Sequence, residues 1–90
     1  MTEKDLIPGT VVQHFKRKML TEAERADSPQ YLYEILGVAH HTETGEKLVV
    51  YRALYGEGKI CARPLDMFLS ETDHEKYPQA EQKFRFEPLK

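Results

Sequence analysis

Apolar and polar positions alternate along much of this chain, and the densest alternation runs from Tyr31 to Leu69. Tyr31–His41 and Lys47–Tyr55 read as two strands, the second centred on the strong strand formers Val49, Val50 and Tyr51. Lys59–Arg63 reads as another strand, ended by Pro64, which has no N–H to give a ladder. Upstream, Pro8-Gly9 marks a turn, and Thr10–Phe15 alternates well enough for a first strand. Downstream, Phe84–Phe86 reads as a short last strand. No segment has the strand–helix–strand spacing of a parallel sheet.

Helical signals are short. Met19–Gln30 combines good helix formers with Thr21 and Glu24 at capping-box spacing, and Asp27-Ser28-Pro29 stops it. Pro64–Leu69 places apolar residues at 65, 68 and 69, which suits one helical or 3₁₀ turn. Asp73–Gln82 is polar and reads as a second short helix capped by Thr72 or Asp73 and interrupted by Pro78.

The turn at His41–Glu46 predicts a register. Thr44 is β-branched and resists positive φ, so the expected turn is type I with Gly45 as a left-handed bulge residue. That pairs Thr42 with Glu46, Val38 with Val50 and Leu36 with Arg52. The other face then pairs Tyr33 with Tyr55, Ile35 with Ala53 and Gly37 with Tyr51, the tyrosine covering the glycine. Gly56-Glu57-Gly58 makes the next turn.

The fold class expected is mainly β: a small bent sheet or partly open SH3-like barrel of about five strands with one or two short helices. A curled sheet with one packed helix is second. Residues 1–90 form one domain, with a core over 8–69, a helical insertion at 19–30 and a C-terminal arm at 70–90.

Composition narrows the classes. Ninety residues, 40% hydrophobic and 31% charged, suit one small globular domain that buries only about 60% of its unfolded surface. No apolar run approaches the ~20 residues that span a bilayer, and the polar start lacks a signal-peptide core, so the expected location is cytoplasmic. A net charge of -2 argues against broad phosphate-backbone binding. Two basic spots, Lys16-Arg17-Lys18 and Lys83 with Arg85, read as solvated edges.

Candidate chemistry is sparse. The single cysteine, Cys61, excludes an internal disulfide and reads as a small strand residue. His40 and His41 are adjacent on a strand and face opposite ways, while His14 and His74 lie elsewhere, so no metal-ligand set is expected. Glu43 and Glu46 flank a turn, Glu34 suits an ion pair with Arg52, and Ser28 and Ser70 lack a nucleophile motif. Gly56-Glu57-Gly58 opens no helix and makes no phosphate loop. No catalytic residue, cofactor or metal is assigned.

What remains is an aromatic and basic set. Tyr33, Tyr51 and Tyr55 on one face, with Arg52 and Arg63 from neighbouring strands, are the candidate partner-binding residues, because Tyr and Arg are enriched at interface hot spots. The competing reading has the tyrosines seal the barrel and the arginines pair with Glu34 or Asp66.

The segments His14-Phe15-Lys16, Tyr33-Glu34-Ile35-Leu36-Gly37, His41–Glu46, Val50–Gly56 and Arg63–Phe68 occur in an order that resembles the bacterial domain-of-unknown-function family 1653. The resemblance spans about Pro8 to Leu69, with 19–30 as an insertion. It implies one small cytoplasmic bacterial domain and imports no activity.

The functional expectation is a non-catalytic binding module for a protein or peptide partner. The alternative is a structural subunit that forms a homo-oligomer such as a homodimer. A single-stranded nucleic-acid binder or a small enzyme stands further off, and no membrane partner is expected.

Overall fold

A computed structural model describes residues 1–89. Val11–His14 (β1), Leu32–His40 (β2), Lys47–Ala53 (β3), Ile60–Pro64 (β4) and Phe86–Pro88 (β5) form one antiparallel sheet in the order β4-β3-β2-β1-β5. Two short helices, Glu22–Ala26 (α1) and Leu65–Phe68 (α2), complete it, with 3₁₀ turns at Glu3–Asp5 and Phe15–Met19. The chain is mainly β, as expected. No helix among the described residues is long and apolar enough to cross a membrane.

The sheet is strongly curled. Flat, its edge strands β4 and β5 would lie roughly 19 Å apart at the usual strand spacing. Instead the Arg63 guanidinium on β4 sits 5.9 Å from the Phe86 ring on β5. The two edges approach without pairing, so the sheet remains open. Val12, Ile35, Val49, Tyr51, Phe68 and Phe86 fill the concave side with Leu6, and the Phe68 and Phe86 rings stack at 4.2 Å.

The β2–β3 register departs from the expected one. The hairpin loop is one residue longer: His41 N–H donates to Glu46 C=O at 2.7 Å, and Gly45 N–H donates to His41 C=O at 2.8 Å. The His41 Nδ1 also accepts from the Glu43 and Thr44 amides, so the side chain holds the wider loop. Gly45 is left-handed at φ 76, as the turn chemistry required. Val38 therefore pairs with Val49, and Gly37 lies opposite Val50 rather than Tyr51.

A β-bulge between Ile35 and Gly37 then shifts the ladder once more, so that Ile35 pairs with Tyr51, Glu34 with Arg52 and Tyr33 with Ala53. Two shifts restore the original parity, and Tyr33, Ile35 and Tyr51 still share the concave face. Past the bulge that face passes to Val38, which packs against the core.

The remaining segments follow local chemistry. Both halves of the Thr21–Glu24 capping box form, at 2.8 and 3.1 Å, and start α1. Arg17 is no solvated edge residue: its guanidinium donates to the Arg25, Ser28 and Gln30 carbonyls and pins the segment around α1 to the end of β1. The second helix expected at Asp73–Gln82 is a series of turns instead. Asp73 caps a single turn through the Glu75 and Lys76 amides, and Pro78 biases Tyr77 away from continuing it.

The C-terminal arm folds back on the sheet. Gln82 is 1% exposed, and its amide donates to the Gln13, Phe84 and Arg85 carbonyls. The last strand begins at Phe86, later than read, and pairs with β1.

Candidate functional site

The five candidate residues do not make one surface. Tyr51 is 5% exposed and belongs to the core, its ring edge-on to Tyr33, Phe68 and Phe86. No partner can stack on it. Arg52 lies on the convex face, opposite Glu34 in the ladder, and pairs with that carboxylate. Tyr33 and Tyr55 lie half-buried at one end of the concave side. Arg63 pairs with Val49 across the ladder and so points into the concave side, where its Nε donates to the Tyr51 hydroxyl at 3.3 Å.

Tyr33 and Tyr55 wall a cleft of about 460 Å³ with Ala53, Gly56, Glu57, Lys59 and Cys61. Their hydroxyls share a hydrogen bond of 2.6 Å. Burial, then this bond, push the Tyr33 phenol above its ordinary pKa. Ala53 leaves the floor open because it has only a methyl group. Beside the cleft, β4 is an edge strand, and Ile60 on its convex side is 67% exposed. Tyr31, a bulky residue held at φ 67, packs its ring against both Tyr55 and His14.

A second hollow of about 300 Å³ opens where β1, β4 and the arm meet, lined by His14, Phe15, Lys16, Arg63, Asp73, Lys76, Tyr77 and Arg85. It collects four permanent cations against one carboxylate. The Lys16 and Lys76 ammonium groups each stand 5.5 Å from the centre of the Tyr77 ring. The Arg85 Nε donates to Ser70 Oγ at 3.3 Å. Among the described residues neither Arg63, Arg85, Lys16 nor Lys76 is salt-bridged: the two ion pairs are Lys47–Glu3 and Arg52–Glu34.

His14 is part-buried beside this concentration of charge. Burial, then Lys16, Arg85 and Arg63, lower its pKa to about 4, so it is neutral at pH 7. Its Nδ1 accepts from the Lys16 amide at 3.2 Å, which leaves the proton on Nε2.

Lys16 and Arg85, one from each of the two basic spots expected to be solvated edges, face the same hollow because β5 returns beside β1, while Lys18 and Lys83 are exposed. The signal was the pair itself: Lys16 follows the first strand and Arg85 precedes the last, so antiparallel pairing of those strands brings them together.

Other candidates gain nothing. His40, His41 and His74 are exposed, and no three His, Cys, Asp or Glu side chains among the described residues converge to hold a metal. Cys61 lines the cleft as a half-buried free thiol. A hollow of about 570 Å³ beside Thr2, Glu3 and Lys4 is bounded by exposed side chains and gathers no converging groups.

A family described as "Protein of unknown function (DUF1653)" matches residues 10–88, and the chain belongs to it. The match includes the C-terminal arm, beyond the span from Pro8 to Leu69 that carried the resemblance. No curated protein and no solved structure matches the chain.

Proposed function

We propose that this family member is a non-catalytic binding module for a protein or peptide partner, engaged at the Tyr33–Tyr55 end of the concave side. The observation that carries the reading is the juxtaposition of that cleft with the free edge of β4. In an antiparallel ladder, alternate residues of an edge strand turn their N–H and C=O groups outward. An extended peptide can add to such an edge by main-chain hydrogen bonds and set one side chain in the neighbouring cleft. The half-buried phenols favour an aromatic or aliphatic side chain there. The negative net charge disfavours a nucleic acid.

Panning a displayed random-peptide library against the purified protein tests this. Enriched peptides are expected to lose about tenfold in affinity against Tyr55→Ala and Ile60→Glu. No enrichment, or peptides that bind both folded variants as tightly as the parent, would sink the reading.

A homo-oligomer is the second reading, favoured by the same exposed Ile60 on an unpaired edge. Light scattering decides it. A dimer that Ile60→Glu dissociates supports it, and a monomer at high protein concentration removes it.

A further inference from the structure

We propose that the hollow between β1, β4 and the arm is a binding site for a phosphate-class oxyanion, such as a phosphate monoester. This goes beyond the peptide reading and uses different residues.

The argument begins with donors that have nothing to bond. Each guanidinium in the hollow spends its Nε on a neutral hydroxyl, Tyr51 for Arg63 and Ser70 for Arg85. These bonds fix the two planes in place. The terminal Nη groups make no hydrogen bond to another described residue, and they are the ends suited to a bidentate oxyanion. Elsewhere the terminal Nη groups are engaged: Arg17 bonds three carbonyls, Arg25 the Lys18 carbonyl, and Arg52 pairs with Glu34.

The charge balance sets the ligand's class. Lys16, Arg63, Lys76 and Arg85 face one another across the hollow, and only Asp73 opposes them. The Asp73 carboxylate is engaged by the Glu75 and Lys76 amides through Oδ1 and bridges to no cation. A dianion with three acceptor oxygens offsets more of this charge than a carboxylate does, and it offers enough acceptors for two guanidinium groups. At about 300 Å³ the space holds a phosphoryl group and a small part of what it is attached to. Neutral His14 adds an Nε2–H donor to the lining and no further charge.

A single concave hollow also differs from a nucleic-acid surface, which needs a track of cations for successive phosphates. Phe15 and Tyr77, their rings 5.0 Å apart, line the same hollow as the four cations.

The test is a titration followed by backbone amide and His14 ring NMR, at pH 7.5 and fixed ionic strength. One arm uses inorganic phosphate and the other N-acetyl-phosphoserine methylamide. Saturable shifts at Lys16, Lys76 and Arg85, complete below about 10 mM, are expected, with an upward move of the His14 pKa. Equal affinity in both arms assigns the site to the free anion. An ester bound about tenfold more tightly assigns it to a phosphorylated residue.

Arg85→Gln should weaken binding about tenfold or more. Lys76→Gln should weaken it several-fold, and this exposed position carries the test if the Arg85 variant does not fold. Arg52→Gln, on the convex face, should leave it unchanged. Shifts that never saturate, binding unchanged in Lys76→Gln, or binding weakened as much in Arg52→Gln as in Lys76→Gln, overturn the proposal.

Discussion

Cys61 and Arg63 stand two residues apart on the same face of β4, yet they border opposite kinds of surroundings. Around Cys61 the polar tips satisfy one another: the Tyr33 and Tyr55 hydroxyls share their hydrogen bond, and Tyr51 packs edge-on against Tyr33. Around Arg63 the cations gather with one carboxylate among them, and the nearest imidazole gives up its charge. At the aromatic end the chain satisfies its own polar tips and leaves beside them a cleft that suits an uncharged side chain. At the basic end four cations stand with one carboxylate, and the two arginines are held by hydrogen bonds to neutral hydroxyls. The difference separates a cleft whose polar groups are already paired from a hollow that an anion would complete.

The largest perturbation should erase the contrast altogether. Phe86 lies between the two ends, stacked on Phe68 and edge-on to Tyr33, Tyr51 and His14. Phe86→Ala should cost about 3–5 kcal/mol in urea unfolding, enough to unfold much of a domain this small. A loss below about 1 kcal/mol would show that the arm is not part of the core, and the basic hollow would lose the wall that the arm supplies.

Gln82→Leu should act on one end only. The substitution leaves three carbonyls without the buried amide that serves them, a cost of about 2–3 kcal/mol. Amide resonances near Arg85 and Tyr77 should shift while those at Tyr55 and Lys59 stay in place. Equal disturbance at both ends would mean that the arm braces the whole sheet rather than the basic end.

The ease of reading the two ends from sequence differed for a physical reason. Gly45, Pro64, the Thr21–Glu24 box and the Glu34–Arg52 pair act between near neighbours or across one ladder, and residue type alone specifies them. The bulge at Leu36 adds one residue to a strand, and an alternation of period two has no mark for that beyond the nearby Gly37. The longer loop depends on the His41 side chain bonding its own turn. The basic end was harder still. Its residues come from four segments between His14 and Arg85, and they meet only because a polar arm, anchored by Gln82 and Phe86, returns to β1.

Proton linkage gives the two ends opposite signs. His14 titrates near 6.5 when unfolded and near 4 when folded. Between these values the unfolded chain binds a proton that the folded chain refuses, so stability is complete above pH 6.5 and declines as pH falls towards 4. The loss should be on the order of 2 kcal/mol, allowing for the part of the ring that water reaches. His14→Gln, which keeps an acceptor without a titrating ring, should flatten that slope. Tyr33 acts at the other extreme: its raised pKa contributes stability below the ordinary phenol range that is lost as pH rises beyond it. A parent protein whose stability is level from pH 6.5 to 4 would refute the burial of His14 beside the cations of the basic end.

The smallest effect tests whether the concave side is special at all. Arg52 and Glu34 form an ion pair on the convex face, with both side chains in contact with water. Solvent screening and side-chain entropy limit such pairs, so a double-mutant cycle with Arg52→Ala and Glu34→Ala should give a coupling of about 0.5 kcal/mol, reduced by salt. The same variants should leave the amides around Tyr77 and Arg85 untouched. A coupling well above 1 kcal/mol would place a strong, ordered charge pair on the outside of the sheet. The arginines of the two faces would then differ in degree only, and unpaired guanidinium groups on the inner face would no longer single out an anion site.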